Sequence, residues 1–127
     1  MLKRALKVSV PAGPWVEQYR SALERAIRDG LSMAGAAGAL VGGQVVLSGA
    51  LQRGEVLEVV LAQDCAARTE RAIRDSAGEG VEFTRLSMAA ADIGQLLGRG
   101  PRAAIGVRRS RSAIHLQRQL RRLRSLG

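Results

Sequence analysis

The chain of 127 residues has one cysteine, one histidine and three aromatic side chains, and each shortage removes a class of protein. A lone Cys65 excludes an intramolecular disulfide, and with it any sign of the cysteine framework of a secreted mini-protein. His115, fifty residues away, forms no zinc-ligand spacing with it. With only Trp15, Tyr19 and Phe83, the core must be built from Leu, Val, Ile and Ala, and base stacking on aromatic platforms is not the main device. No apolar run reaches the length of a bilayer span. At the start of the chain, Ala12, Gly13 and Pro14 follow only a short mixed strand where a signal peptide would carry its apolar core. The expectation is a cytoplasmic, single-domain protein that binds no metal or cofactor and does not associate with membranes.

Acids are scarce in one place only. Of 20 cations, 18 are arginine, and nine of those (99, 102, 108, 109, 111, 118, 121, 122 and 124) fall in the last 29 residues without an acid among them. The first 98 residues hold eleven cations and eleven acids and are neutral. The net charge of +9 is therefore a located segment. It predicts an anionic partner, and arginine is the side chain that forks onto phosphate.

Hydropathy patterning predicts alternating elements. Residues 5–10 alternate like a half-buried strand and stop at Pro11-Ala12-Gly13-Pro14. From Pro14, a good first helical residue, Trp15, Tyr19, Leu23, Ala26, Ile27, Gly30, Leu31 and Ala34 recur as the buried stripe of one long helix. A short strand at 40–41 turns at paired glycines into a helix over 44–53, closed by Gly54. The apolar run 56–62 reads as a central strand covered on both faces. Asp64 is the expected N-cap of the next helix, whose buried stripe is Thr69, Ala72, Ile73, Ser76 and Ala77. A strand over 81–86, a helix over 88–97 capped by Ser87, and a strand over 103–107 follow. Ser110 then caps a terminal helix with Ala113, Leu116, Leu120 and Leu123 on one face and Arg111, Arg118 and Arg122 opposite. This order makes an α/β protein, a three-layer α/β/α sandwich around a small four-stranded mixed sheet.

Motifs for catalysis and cofactor binding fail on inspection. Gly38 to Gly43 has the spacing of a phosphate loop, but Gln44 and Val45 stand where Lys and Ser/Thr are needed. Gly35, Gly38 and Gly42 follow a helix and so do not fit the dinucleotide fingerprint. Cys65, without a basic partner at a recognisable spacing, reads as a packing residue at a helix start. The expectation is a protein that is not an enzyme.

Three motifs, in order over residues 23–115, resemble a known family. Leu31-Ser32-Met33-Ala34-Gly35-Ala36-Ala37-Gly38-Ala39-Leu40-Val41-Gly42-Gly43-Gln44 resembles the opening "L-x-x-A-x-x-A-G-x-x-x-x-G-(E/Q)" of the bacterial YlxQ-type members of the L-seven-Ae/L-thirty-e ribosomal protein superfamily. Val59-Val60-Leu61-Ala62-Gln63-Asp64-Cys65-Ala66-Ala67-Arg68-Thr69 is similar to the family's "V-x-L-A-x-D-A-S-x-x-T", and Ile93-Gly94-Gln95-Leu96-Leu97-Gly98 to its "L-G-x-x-x-G". At the start, Arg4-Ala5-Leu6-Lys7-Val8-Ser9-Val10-Pro11 is similar to the last strand of the YlxR domain, an RNA-binding module fused in some bacteria before an L-seven-Ae-like domain. The resemblance divides the chain into residues 1–13, a loosely packed strand or linker remnant of such a domain, and residues 14–127, an L-seven-Ae-like domain with an arginine-rich C-terminal helix.

What the resemblance implies is binding of structured RNA, kink-turn-like or ribosomal. The superfamily reads a kinked duplex with the N-terminal end of its second helix and the loop before its last strand. Here these are Gly42-Gly43-Gln44 and Gly98-Arg99-Gly100-Pro101-Arg102. A helix N-terminus offers free N–H groups to phosphate, and glycines let a backbone approach closely. On that reading Arg99 and Arg102 hold phosphate, Gln44 reaches a base edge, and Arg108, Arg109, Arg111, Arg118 and Arg122 supply backbone contacts. The chain departs from kink-turn binders outside the bacteria, which carry Asn-Glu and, three residues on, Lys. It has Gly43-Gln44 and Leu47, and Ala39 where bacterial relatives often have Lys.

Blander readings stand beside these: Gly42 and Gly43 as a tight strand-to-helix turn, and the arginines as the solvated face of a helix whose leucines pack on the domain. Two other functions use the same features. One is a protein-interaction module docking through the leucine face of the last helix, the other a nucleoid-type regulator that binds DNA.

Overall fold

A computed structural model of the protein describes residues 14–126. The strand expected over 5–10, and with it the division at residue 13, lies outside the described residues. Helix α1 (Pro14–Ala36) leads to β1 (Leu40–Gly42), α2 (Gln44–Gln52), β2 (Val56–Leu61), α3 (Ala67–Ser76), β3 (Glu82–Arg85), α4 (Ala90–Leu96) and β4 (Ala104–Arg108). A 3-10 turn (Arg111–Ala113) then opens α5 (Ile114–Leu126). The four strands form one mixed sheet in the order β1-β4-β2-β3, with β4 antiparallel to both its neighbours and β3 parallel to β2.

This is the three-layer α/β/α arrangement expected from the hydropathy pattern. Strands β2 and β4 lie inside the sheet, and Val59, Val60, Ile105 and Val107 are buried among helices. Helices α1 and α5 pack on each other, and α2 packs on α3. The α1/α5 contact is close because Gly30 has no side chain: a Cβ there would stand 3.2 Å from Leu116 Cδ1. Gly35 likewise brings α1 against Leu97 at the end of α4. Across the sheet, Leu47 of α2 lies over Gly106 of β4.

Three helices end by the same device. After α1, Ala39 N–H donates to Ala34 O at 2.8 Å and Gly38 N–H to Gly35 O at 3.1 Å, with Gly38 at φ 75°. Gly54 and Gly98 repeat the pattern after α2 and α4. A glycine in the left-handed region satisfies the last carbonyls and turns the chain, and this is why helix ends were readable from glycines.

Four expectations are corrected. Asp64 does not cap α3, whose N-cap position is Ala66 with no side-chain hydrogen bond. Its Oδ1 instead accepts the N–H of Ala90 at 2.8 Å, capping α4 from 26 residues away. Ser87 is consequently free of that task; α4 begins later than expected, and Ser87 Oγ donates to Glu24 Oε2 at 3.1 Å. In α3 only Ile73 is fully buried, with Thr69, Ala72, Ser76 and Ala77 at the margins of the interface. Finally, Trp15 and Tyr19 are 63% and 45% exposed, although they continue the stripe of Leu23, Ile27, Leu31 and Ala34. The last helix meets α1 farther along, where Gly30 lies beside Leu116 and Gln119.

The leucine face of α5 is used within the domain. Leu116, Leu120 and Leu123 are buried, together with Gln119. They are not available to dock a partner, which corrects the protein-interaction reading built on that face.

Candidate nucleic-acid interface

The turn from β1 into α2 and the loop before β4 meet in space. Gly42 pairs with Ile105, placing the end of β1 beside the start of β4. The side chain of Arg102 lies directly over Gly42: a Cβ on Gly42 would stand 2.8 Å from Arg102 Nε and 3.2 Å from its Cδ. Glycine here leaves room for the arginine to lie against the backbone. Gly43 follows as the N-cap residue at φ 90°, a conformation that favours glycine and brings no capping side chain. The first N–H groups of α2, on Gln44, Val45 and Val46, therefore stay without side-chain acceptors at the helix's positive end.

The loop over 98–102 is held on α4. Arg99 N–H donates to Gly94 O at 2.7 Å, and Arg102 N–H to Ala90 O at 3.0 Å. Between these anchors the Gly100 carbonyl rests on Gly94, where a Cβ would be 2.0 Å from the Gly100 oxygen. The Ile93–Gly98 motif thus has a physical reason. Gly94 is the seat of the loop, and Gly98 the turn into it. Arg102 Nη1 is steadied by the carbonyls of Pro101 at 3.1 Å and Gly100 at 3.3 Å, leaving its outer nitrogens free.

Beside the turn, toward the end of α1, lies a cleft of about 590 Å³. Arg99, Arg102 and Arg108 line it, and no acid does. So of the expected contact residues, Gly42, Arg99, Arg102 and Arg108 share one cleft, with Gly43 and exposed Gln44 next to it. Arg109, Arg111, Arg118 and Arg122 are not among its walls. All four are exposed, the last two on the outer side of α5, where they form a second cationic surface.

The body partly neutralises the arginine segment, which has no acid of its own. Arg108 Nη1 donates to Glu55 Oε1 at 3.1 Å, and Arg53 holds the other oxygen of Glu55 at 2.8 Å. The hydrogen bond from Arg53, reinforced by Arg108, keeps the Glu55 carboxyl below the usual carboxylate range. Arg124 Nη1 bonds Glu58 Oε1 at 2.7 Å and Thr84 Oγ1 at 2.8 Å, and its Nε stands 3.7 Å from Glu82. Burial nevertheless pushes the Glu58 carboxyl up, outweighing the nearby guanidinium. Among the described residues the other seven arginines of the segment make no ion pair within 4.0 Å.

Two features were missed in the sequence. Val45 and Val46, 85% and 57% exposed, stand on the first turn of α2, and Val46 lines the cleft. Their signal was two adjacent β-branched residues where the core needs only Leu47. That residue, at the position of the kink-turn Lys, is wholly buried against β4 and faces no ligand. Cys65 is buried, its thiol pushed up by that burial, which is the opposite of a nucleophile's environment. Among the described residues no cluster of His, Cys, Asp and Glu could hold a metal, and no helix is long and apolar enough to cross a membrane.

No protein-family model matches the chain, and no curated protein matches it. Solved structures do. A protein of unknown function from Bacillus halodurans is 24% identical, with a TM-score of 0.62 over 79% of this chain and 94% of its own. The Giardia lamblia 15.5kD RNA binding protein is 15% identical, with a TM-score of 0.65 over 84% of this chain and 91% of its own. At these identities the likeness is one of fold.

Proposed function

We propose that the chain is a non-enzymatic RNA-binding protein of the YlxQ-type branch of the L-seven-Ae/L-thirty-e superfamily. It takes structured RNA, kink-turn-like or ribosomal, on the surface formed by Gly42, Gly43, Gln44 and the loop over 98–102. The observation that carries this reading is the seating of Arg102 over Gly42, beside the uncapped start of α2. It brings a guanidinium, free backbone N–H groups and an amide side chain to one place. Those are donors for phosphate and, at Gln44, a donor and acceptor for a base edge. That a solved protein of the same fold binds RNA supports the reading. The absence of a carboxylate at position 44 and of a cation at position 47 shifts the balance toward backbone contacts.

Affinity then comes from Arg99, Arg102, Arg108, Arg109, Arg111, Arg118 and Arg122. If about five of them neutralise phosphates, log Kd should change with log salt with a slope of about 3.5–4.5. The test is filter binding of a kink-turn RNA, a plain RNA duplex and a DNA duplex at two salt concentrations. Preference for the kink-turn RNA, lost in Gln44→Ala, supports the specific reading. Equal salt-sensitive binding to all three leaves a sequence-blind nucleic-acid binder, DNA included, and a flat salt response overturns the role of the arginines. Because α5 is core, the arginine surface is tested with Arg118→Gln and Arg122→Gln, which keep the helix.

A further inference from the structure

The cleft beside the glycine turn has a shape and chemistry beyond what a duplex backbone needs. At about 590 Å³ it falls within the range of small-molecule sites, roughly 300–1,000 Å³. One side is cationic, with Arg99, Arg102 and Arg108, the last shared with Glu55, which lies outside the lining. The other side carries apolar side chains, among them Leu40, Val46 and Leu97. Gly35 on the last turn of α1 adds no side chain there, and Leu97 Cδ2 and Leu40 Cδ1 close over it, 3.1 and 3.5 Å from where its Cβ would be. Val41 and Ile105, both buried, complete the floor. Arg102 and Arg108 are each fixed through a single nitrogen, Nη1, so their other donors remain for a ligand.

Apolar side chains facing three guanidinium groups suit a molecule with a planar ring at one end and phosphate at the other. We propose that this cleft binds a nucleoside phosphate, its phosphates on Arg99, Arg102 and Arg108 and its base and sugar against Leu40 and Leu97. Forked guanidinium donors match phosphate oxygens in pairs, and an apolar surface accepts any base face. The nucleotide is either free or the terminal residue of an RNA chain. Because Arg99 and Arg102 serve both ligands, a free nucleotide would compete with RNA.

The site is tested on the full chain, first with nucleotides and phosphate alone, so that binding there is read independently of the proposed RNA function. GTP, GMP, ribose 5-phosphate and inorganic phosphate are titrated at physiological salt, with amide shifts in NMR and calorimetry as readouts. The expected result is saturable shifts at Gly35, Gly42, Gly98 and Gly100, with both nucleotides at least tenfold tighter than ribose 5-phosphate. Val46→Glu, exposed and at the mouth, puts a carboxylate among the guanidinium groups and should weaken GTP at least tenfold with an unchanged melting curve. Arg99→Gln, also exposed, should weaken GTP more than it weakens any interaction of the wall. A short RNA with a 5′-triphosphate that displaces GTP, where its 5′-hydroxyl counterpart does not, assigns the site to an RNA end; failure of both to displace GTP assigns it to the free nucleotide. Nucleotides binding no tighter than inorganic phosphate, or shifts confined to the arginines of α5, would overturn the proposal.

Discussion

Replacing Gly94 with alanine sets two physical effects of opposite sign against each other. In a helix interior, Gly→Ala ordinarily stabilises by about 1 kcal/mol, because alanine restricts the unfolded chain and favours the helix. Here the new Cβ would stand 2.0 Å from the Gly100 oxygen, 2.6 Å from its carbonyl carbon and 3.0 Å from the Arg99 oxygen. All three are backbone atoms, so no side chain can swing aside. The loop must retreat by about 1 Å or more before the contact becomes tolerable. Retreat strains the bonds from Arg99 N–H to Gly94 and from Arg102 N–H to Ala90, each worth about 1 kcal/mol. With those bonds strained, overpacking costs about 2–3 kcal/mol, the upper part of the usual range, so after the helix gain the net loss is about 1–2 kcal/mol. Urea unfolding measures it, with Gly78→Ala as the control. No atom lies within 4 Å of a Cβ at Gly78, and its substitution should be neutral or slightly stabilising. The same shift pulls Arg102 away from Gly42, so RNA affinity should fall about tenfold, the equivalent of about 1.4 kcal/mol. A Gly94→Ala protein as stable as the parent, with unchanged RNA affinity, would refute the idea that this glycine seats the loop.

Other substitutions test other parts of the account. Asp64→Ala should cost about 1 kcal/mol by uncapping α4, while Ser87→Ala should cost less than about 0.5 kcal/mol, the reverse of the order that chain proximity suggests. Leu120→Ala, at a fully buried position between α5 and α1, should destabilise by about 2–5 kcal/mol in thermal or urea melts. Glu58 carries a pH signature: with its carboxyl pushed up by burial, the folded protein holds this proton more tightly than the unfolded chain. Its contribution to stability is therefore full below the ordinary glutamate value near 4.5 and is lost as pH rises through the raised value. Glu58→Gln, which stays neutral, should gain stability relative to the parent between pH 4 and pH 7, and a relative loss over that range would show that the Arg124 pair dominates instead.

The features legible in the sequence were those set by near neighbours. The stripe of Leu23, Ile27, Leu31 and Ala34, the apolar run of β2 and the glycines after α1, α2 and α4 each depend on a few adjacent residues, and all lie where the pattern puts them. What was not legible depends on partners far along the chain. Asp64 caps a helix it does not precede, and Arg108 and Arg124 find acids 53 and 66 residues away. The exposure of Trp15 and Tyr19 depends on which turns of α1 find a partner in the fold, which no local pattern of α1 encodes. At the candidate site, the quoted motifs located the turn and the loop, but the reason for their glycines, one seating Arg102 and another seating Gly100, is tertiary.

The pairing of α1 with α5 also governs when this chain can fold. Gly30 meets Leu116 across more than eighty residues, so the part of the α1 stripe that α5 covers stays open until α5 has been made. At the usual rate of synthesis that interval is roughly 4–17 s, and contacts of such sequence separation form late in any case. A nascent chain stalled before residue 114 would be a species prone to aggregate, and one that a chaperone recognising exposed aliphatic helices would hold.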